Sequence, residues 1–205
     1  MLIKSLKMNH RMVVIFLLML VILLLVYMKT MNDGDAIEGF FAMIRSNISG
    51  RMYDVRDELP GYQTASDKLG SIDMFISEFI RYLVSKYPND KRVERLKTRS
   101  NGIKIKETDY SSSDSSFTVN KGDLMSVCVR SKENVNTFHD MQLMKFVIIH
   151  ELAHIASVSF GHNNEFNRNF KWLLQEAQNV GYTPVDYSVN PVTYCGVRVT
   201  NNPIM

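Results

Sequence analysis

Apolar residues recur along the chain in two rhythms, one three to four residues long and one of two. From Thr64 to Tyr87 they fall at Leu69, Ile72, Phe75, Ile76, Phe79, Ile80, Leu83 and Val84, and Pro88 ends the run. One face of a 3.6-residue helix gathers such positions, so the spacing predicts a core helix that proline then stops. Asn164 to Val180 repeats the rhythm at Phe166, Phe170, Leu173, Leu174, Ala177 and Val180 and meets Gly181, which predicts a second amphipathic helix with a glycine end. Ala36 to Ile48 carries a looser version at Ile37, Phe40, Phe41, Ile44 and Ile48 and reads as a short amphipathic helix or stalk. Phe138 to Ser157 is apolar on nearly every side, as a helix buried through the middle of a domain would be. Thr137 with Asp140 three residues on resembles a capping box at its start.

The two-residue rhythm fills the stretch between. Asn101-Gly102 is a turn composition, and Ile103-Lys104-Ile105-Lys106 alternates as a short strand does. A serine-rich loop from Ser111 to Ser116 leads into Phe117-Thr118-Val119 and Leu124 to Arg130, two pieces rich in β-formers separated by Asn120-Lys121-Gly122-Asp123. These predict a β-hairpin just before the buried helix. Leu124 to Arg130 is the strand expected to lie beside that helix and to pair with an extended peptide. The tail from Tyr182 to Met205 contains Pro184, Pro191 and Pro203 and is expected to wrap the domain as an extended strand. Tyr187 and Tyr194 within it are candidates for a transition-state hydrogen bond, set against the plainer role of packed tyrosines.

The N-terminus breaks both rhythms. Met12 to Met28 is seventeen residues without a charge, about 25 Å as a helix, near the lower limit for crossing a bilayer. It is longer than the apolar core of a signal peptide and Val26-Tyr27-Met28 makes a poor cleavage site, so it reads as a membrane anchor. Lys4, Lys7 and Arg11 precede it, whereas Asp33, Asp35 and Glu38 follow. That asymmetry puts the N-terminus in the cytosol and the body across a membrane as a single-pass protein. The expected layout is an N-terminal tip and anchor over 1–29, a stalk or linker over 30–60 and one folded domain over 61–205. Asn47-Ile48-Ser49 is a glycosylation sequon usable only with the body lumenal. Cys128 and Cys195, the two cysteines, would either pair or remain buried thiols.

Composition changes this picture little: 205 residues, 45% hydrophobic and 22% charged, suffice for one domain with a core. Lys4, Lys7 and Arg11 account for the whole net charge of +3, so the body is neutral, which weighs against nucleic acid as an obligatory partner. Lys86 to Lys106 is the one local basic cluster. It reads as a solvated helical face, with a phosphate-binding or anionic-membrane patch as the alternative, and no aromatic residue interleaves with it to stack bases.

The chemistry lies in His150-Glu151-Leu152-Ala153-His154, inside the buried helix. Histidines four apart on a helix differ by about 40° around its axis, so both imidazoles reach one metal ion. Glu151, one residue on, addresses a water in the open coordination position. Buried imidazoles and a carboxylate are costly unless coordinated or hydrogen-bonded, which favours metal binding. Gly161 allows the chain to turn back after the helix, and His162, eight residues after His154, is the candidate third ligand, with Glu165 as fallback. His139 precedes His150 by eleven residues, about 16 Å along a helix, too far to share the ion.

His-Glu-Leu-Ala-His, a connector and Gly161-His162 with Phe166 opening another helix resemble the WLM and SprT-like zinc metallopeptidases, including relatives carried by large DNA viruses. The resemblance runs from Phe117 to Pro203 and is strongest from Lys145 to Leu174. It implies a small α+β zincin-like domain in which His150, His154 and His162 bind zinc and Glu151 is the general base. The connector, Ile155 to Gly161, is longer than the five residues typical of WLM sequences. Well-known members cut proteins crosslinked to DNA, a substrate that an anchored, neutral body does not suit. The expected function is therefore a membrane-anchored zinc metallopeptidase acting on proteins or peptides. The rival readings are an inactive zinc-binding structural or virion membrane protein, for which Glu151 would have no use, and a DNA-protein crosslink protease engaging phosphates through Lys86 to Lys106.

Overall fold

The computed structural model describes residues 10–34 and 41–205. It divides into two units, Met1–Gly39 and Phe40–Met205. The first contributes helix α1, His10–Gly34. Its apolar side chains from Val14 to Leu25 are exposed, but among the described residues no helix is long and apolar enough to cross a membrane. The expected anchor over 12–28 and the single-pass localisation built on it are thereby corrected. The uncharged run is seventeen residues, short of the about 20 that span a hydrocarbon core about 30 Å thick.

In the second unit, strands β1 (Phe41–Arg45) and β2 (Met52–Arg56) pair antiparallel with Phe41 opposite Arg56 and Arg45 opposite Met52. The stalk or helix expected up to Ile48 is therefore a hairpin strand, Phe41–Arg45, and the turn that follows it; Ala36, Ile37 and Phe40 lie outside the described residues. Helix α2, Tyr62–Lys86, matches the long stripe and buries Leu69, Ile72, Phe75, Ile76, Phe79 and Leu83. Helix α3, Lys91–Arg99, starts at Asp90, whose side chain accepts from the Arg92 amide, a standard side-chain cap. Strands β3 (Lys104–Glu107), β4 (Phe117–Val119) and β5 (Leu124–Val127) complete a five-stranded sheet ordered β1-β2-β3-β5-β4. β3 runs parallel to both β2 and β5, whereas β4 pairs antiparallel with β5.

The β4–β5 turn has Asn120 and Lys121 at φ 47° and 57°, the left-handed backbone that tight hairpins require and asparagine tolerates. Helix α4, Met141–Ala156, packs against helices and β4, with Met144, Ile148, Ile149 and Leu152 fully buried. It begins three residues later than the capping pattern suggested. Asp140, not Thr137, is the N-cap, accepting from the Gln142 and Leu143 amides at 2.8 and 3.3 Å. Phe138 instead bridges Arg130 in extended conformation. Helix α5, Asn164–Ala177, packs against α4 and passes through a short 3-10 turn, Gln178–Val180, to Gly181 at φ 85°.

The tail is not one extended strand. β6 (Val192–Tyr194) and β7 (Val197–Val199) form their own antiparallel hairpin, and Cys195 at its turn is disulfide-bonded to Cys128, 67 residues earlier. The pairing settles the cysteine alternatives. Asn202, buried beyond the hairpin, donates to Tyr182 Oη and the Val185 carbonyl at 3.0 and 3.1 Å, so the tail is fixed on both sides of β6–β7.

Candidate metal centre

His150 and His154 stand one turn apart on α4. After the helix the chain runs through Ser157 to Phe160, turns at Gly161 with φ 76° and returns His162 to the same place. His162 Nε2 lies 3.0 Å from His150 Nε2 and 3.2 Å from His154 Nε2. The three groups form the metal-competent cluster found among the described residues. Ligand nitrogens about 2.0–2.1 Å from a tetrahedral zinc are about 3.3 Å from one another. The observed separations sit close to that edge, so the residues present fit the ion that the sequence implies.

The electrostatics agree. Burial, then the neighbouring imidazoles, push His150 down to about 3, and burial with the nearby His162 pushes His154 down to about 4. Both rings are therefore neutral at pH 7 and need shed no proton to coordinate. The Phe166 ring touches all three ligands, stacked on His154 at 4.3 Å and 4.7 Å from both His150 and His162. It walls the cluster from the α5 side. Glu151 is 6% exposed, and burial pushes its carboxyl up to about 7 against weaker support from Thr118. Both the hydroxyl and the amide of Thr118 bear on that carboxyl and favour its charged form.

Glu165 is not a ligand. Its carboxylate accepts from the Val158 and Ser159 amides at 2.9 and 3.0 Å and from Ser159 Oγ at 2.5 Å. Those bonds, the Ser159 hydroxyl first, hold it down to about 2 and tie α5 to the connector that delivers His162. Asn163 caps α5 and also donates to Ser159 Oγ at 2.7 Å. On the other flank, Arg95 and Arg99 donate to the Ala156 and Ile155 carbonyls at 2.5 and 2.7 Å. Lys121 reaches the carbonyls of Ser157, Val158 and Ser159 at 2.6–2.9 Å. These cations satisfy the open carbonyls at the end of α4 and meet the negative end of its dipole.

Much of the basic cluster is paired within the chain, in part at its surface: Lys86 pairs with Glu176, Lys91 with Glu94 and Arg92 with Asp90. Trp172 is covered by the Arg92 guanidinium, 3.7 Å above its ring. His139 stays outside the cluster, but not by spacing along α4: it precedes the helix, donating its amide to the Val129 carbonyl, and its ring lies 4.6 Å from Tyr194.

A cavity of about 610 Å³ opens over the ligands. β4 and the serine-rich loop line one side; Phe146 and Val147, one turn before His150, line the floor; Tyr194, Val197 and Val199 of the tail hairpin line another side. One expectation changes here. β5 is enclosed between β3 and β4, so β4, not Leu124 to Arg130, is the strand with a free edge at the cleft. The serine-rich loop is structural: Ser116 Oγ receives the Cys128 amide at 2.9 Å and meets Tyr194 Oη at 2.6 Å. Tyr187 is buried and its hydroxyl has no partner, and it does not line the cleft. Thr118 and the hairpin valines carried no signal in the sequence, because β-formers in a strand and a tail look alike wherever they end up. Phe166 did carry one, four residues after His162, but its stripe pointed only to the core.

No family model matches the chain. It is 28% identical over 190 residues to the uncharacterised protein R325 of Acanthamoeba polyphaga mimivirus, covering 90% of this chain and 93% of that one. It is 34% identical over 67 residues to the uncharacterised protein 136R of Invertebrate iridescent virus 6, covering 32% and 37%. Among solved structures, the crystal structure of Wss1 from Saccharomyces cerevisiae is similar at TM-score 0.45 and 17% identity, over 62% of this chain and 86% of that one. A Wss1 mutant from the same yeast gives 0.45 at 16% identity, over 62% and 87%.

Proposed function

We propose that the chain is a zinc-dependent peptidase. What supports this is the convergence of three imidazole nitrogens at zinc-ligand spacing with a buried carboxyl one residue from the first of them. His150, His154 and His162 would hold the ion, which when bound polarises the scissile carbonyl and acidifies water in its open position. Glu151 takes a proton from the attacking water and delivers it to the leaving amine nitrogen. A carboxyl poised near 7 suits both halves of that exchange, since it gives and takes a proton near neutral pH. Thr118 supplies a hydroxyl and an amide on the strand facing Glu151, and Phe166 keeps water from the rear of the ligands. The free edge of β4 offers main-chain hydrogen bonds to an extended protein or peptide.

The test is metal analysis with a peptide-cleavage screen on the parent and on Glu151→Gln. The parent is expected to hold one zinc per chain and to cleave, and Glu151→Gln to keep the zinc and lose at least about a hundredfold in kcat. Equal cleavage by the two would overturn the mechanism. A zinc-loaded parent that cleaves nothing would point to the inactive structural protein.

A further inference from the structure

The tail hairpin is more firmly held than its length requires. Cys195 is bonded to Cys128, Tyr194 Oη meets Ser116 Oγ at 2.6 Å, and the Tyr194 ring packs on His139 at 4.6 Å. Two short strands alone are marginal in water, so these attachments are what fix β6–β7. What they fix is a wall of the cleft that holds the metal ligands: Val197 and Val199 line it together with Phe146 and Val147 of α4. Val197 is 51% exposed and Phe160, at the cleft mouth beside His162, 83%. Exposed apolar side chains gathered around a site, as opposed to scattered, mark a surface that is covered in use.

Resting on the peptidase assignment, we infer that Val197 and Val199 with Phe146 and Val147 form an apolar side-chain subsite, and that the substrate is an extended polypeptide with a large apolar residue beside the bond to be cut. Phe146 and Val147 lie one helical turn from His150, about 4.5–6 Å along the axis, roughly the distance from a scissile carbonyl to the next side chain. The four residues belong to two elements joined only through tertiary structure, so the subsite exists once the disulfide and the Ser116 contact have placed the hairpin. Charged and small side chains gain nothing from it: one would bury an unpaired charge, the other leave the pocket unfilled.

The experiment measures binding separately from cleavage. Full-length, zinc-loaded Glu151→Gln is titrated with a matched series of fluorescent peptides carrying Phe, Leu, Ala or Asp at each position in turn. At one position Phe and Leu are expected to bind about tenfold tighter or more than Ala and Asp. Adding Val197→Asp, a change at an exposed site, is expected to erase that preference while leaving zinc content unchanged. Equal affinity across the series, or a preference that survives both Val197→Asp and Val199→Asp, overturns the subsite. Cleavage by the parent chain is scored on the same peptides. Selective binding without cleavage removes the hydrolase assignment and keeps the subsite; cleavage without selectivity does the reverse.

Discussion

Burial holds the Glu151 carboxyl at about 7, against an ordinary 4.5, and the direction of that shift makes a stability prediction. Below pH 4.5 the group is protonated in both folded and unfolded chains and nothing is lost. As pH rises from 4.5 to 7 the unfolded chain releases the proton first, so the folded state loses stability, by about 3 kcal/mol once both forms are ionised. In metal-free protein, Glu151→Gln should therefore be more stable than the parent at pH 8, by up to about 3 kcal/mol, and no more stable at pH 4. Denaturant unfolding with a chelator present at the two pH values measures this, and equal stability at pH 8 refutes it. Glu165 makes the opposite contribution, since its carboxylate is stabilised by the connector it holds. Glu165→Ala frees the Val158 and Ser159 amides and with them the segment that positions His162. The expected loss in zinc affinity is about 10–100-fold, the range seen when the groups behind metal ligands are removed. Competition against a chelator of known affinity reads it. An unchanged affinity would mean that Arg95, Arg99 and Lys121 hold the connector unaided.

Among the elements, what the sequence made legible is what local spacing controls. α2, α5 and the β4–β5 hairpin stand where periodicity and turn residues place them, and His150 and His154 share a helix face because a four-residue interval leaves them no alternative. The start of α4 was less legible because Thr137 and Asp140 are both good caps; tertiary pairing of Phe138 with Arg130 decides for Asp140. β1 was hidden altogether. Phe41 and Ile44 are three apart, a helical interval that points them to opposite faces of a strand, and the choice depends on pairing with β2, which begins only at Met52. The tail hairpin and the disulfide are the least local features, with 67 residues between the cysteines. That separation is also why the bond matters: closing a loop of this length removes about 4 kcal/mol of chain entropy from the unfolded state. Cys128→Ser with Cys195→Ser, or reduction of the parent, should lower unfolding free energy by about 2–4 kcal/mol. Denaturant curves with and without reductant test this, and a parent indifferent to reductant would show that the hairpin is held by Tyr194 and Asn202 alone.

At the scale of the whole molecule, everything the proposed chemistry uses lies within Phe40–Met205. The sheet begins at Phe41, the buried apolar core at Tyr53, and the ligands, Glu151, the connector clamps and the disulfide all follow. Among the described residues the buried apolar core runs from Tyr53 to Cys195, and the α1 side chains from Val14 to Leu25 are exposed. A domain needs its own core to fold alone, and at 166 residues the second unit is of a size whose chain buries about 70% of its surface. Residues 40–205 produced alone should therefore fold cooperatively, take up one zinc per chain, and cleave with kcat/KM within about twofold of the full chain, since no transition-state contact is removed. Zinc analysis, a thermal melt and the same peptide screen check the three parts. A fragment that folds and binds zinc but cleaves poorly would place a substrate contact within Met1–Gly39. A fragment that fails to fold would mean that β1, the sheet's outer strand, depends on the segment before Phe41 for its register, and the division into two units would not hold in solution.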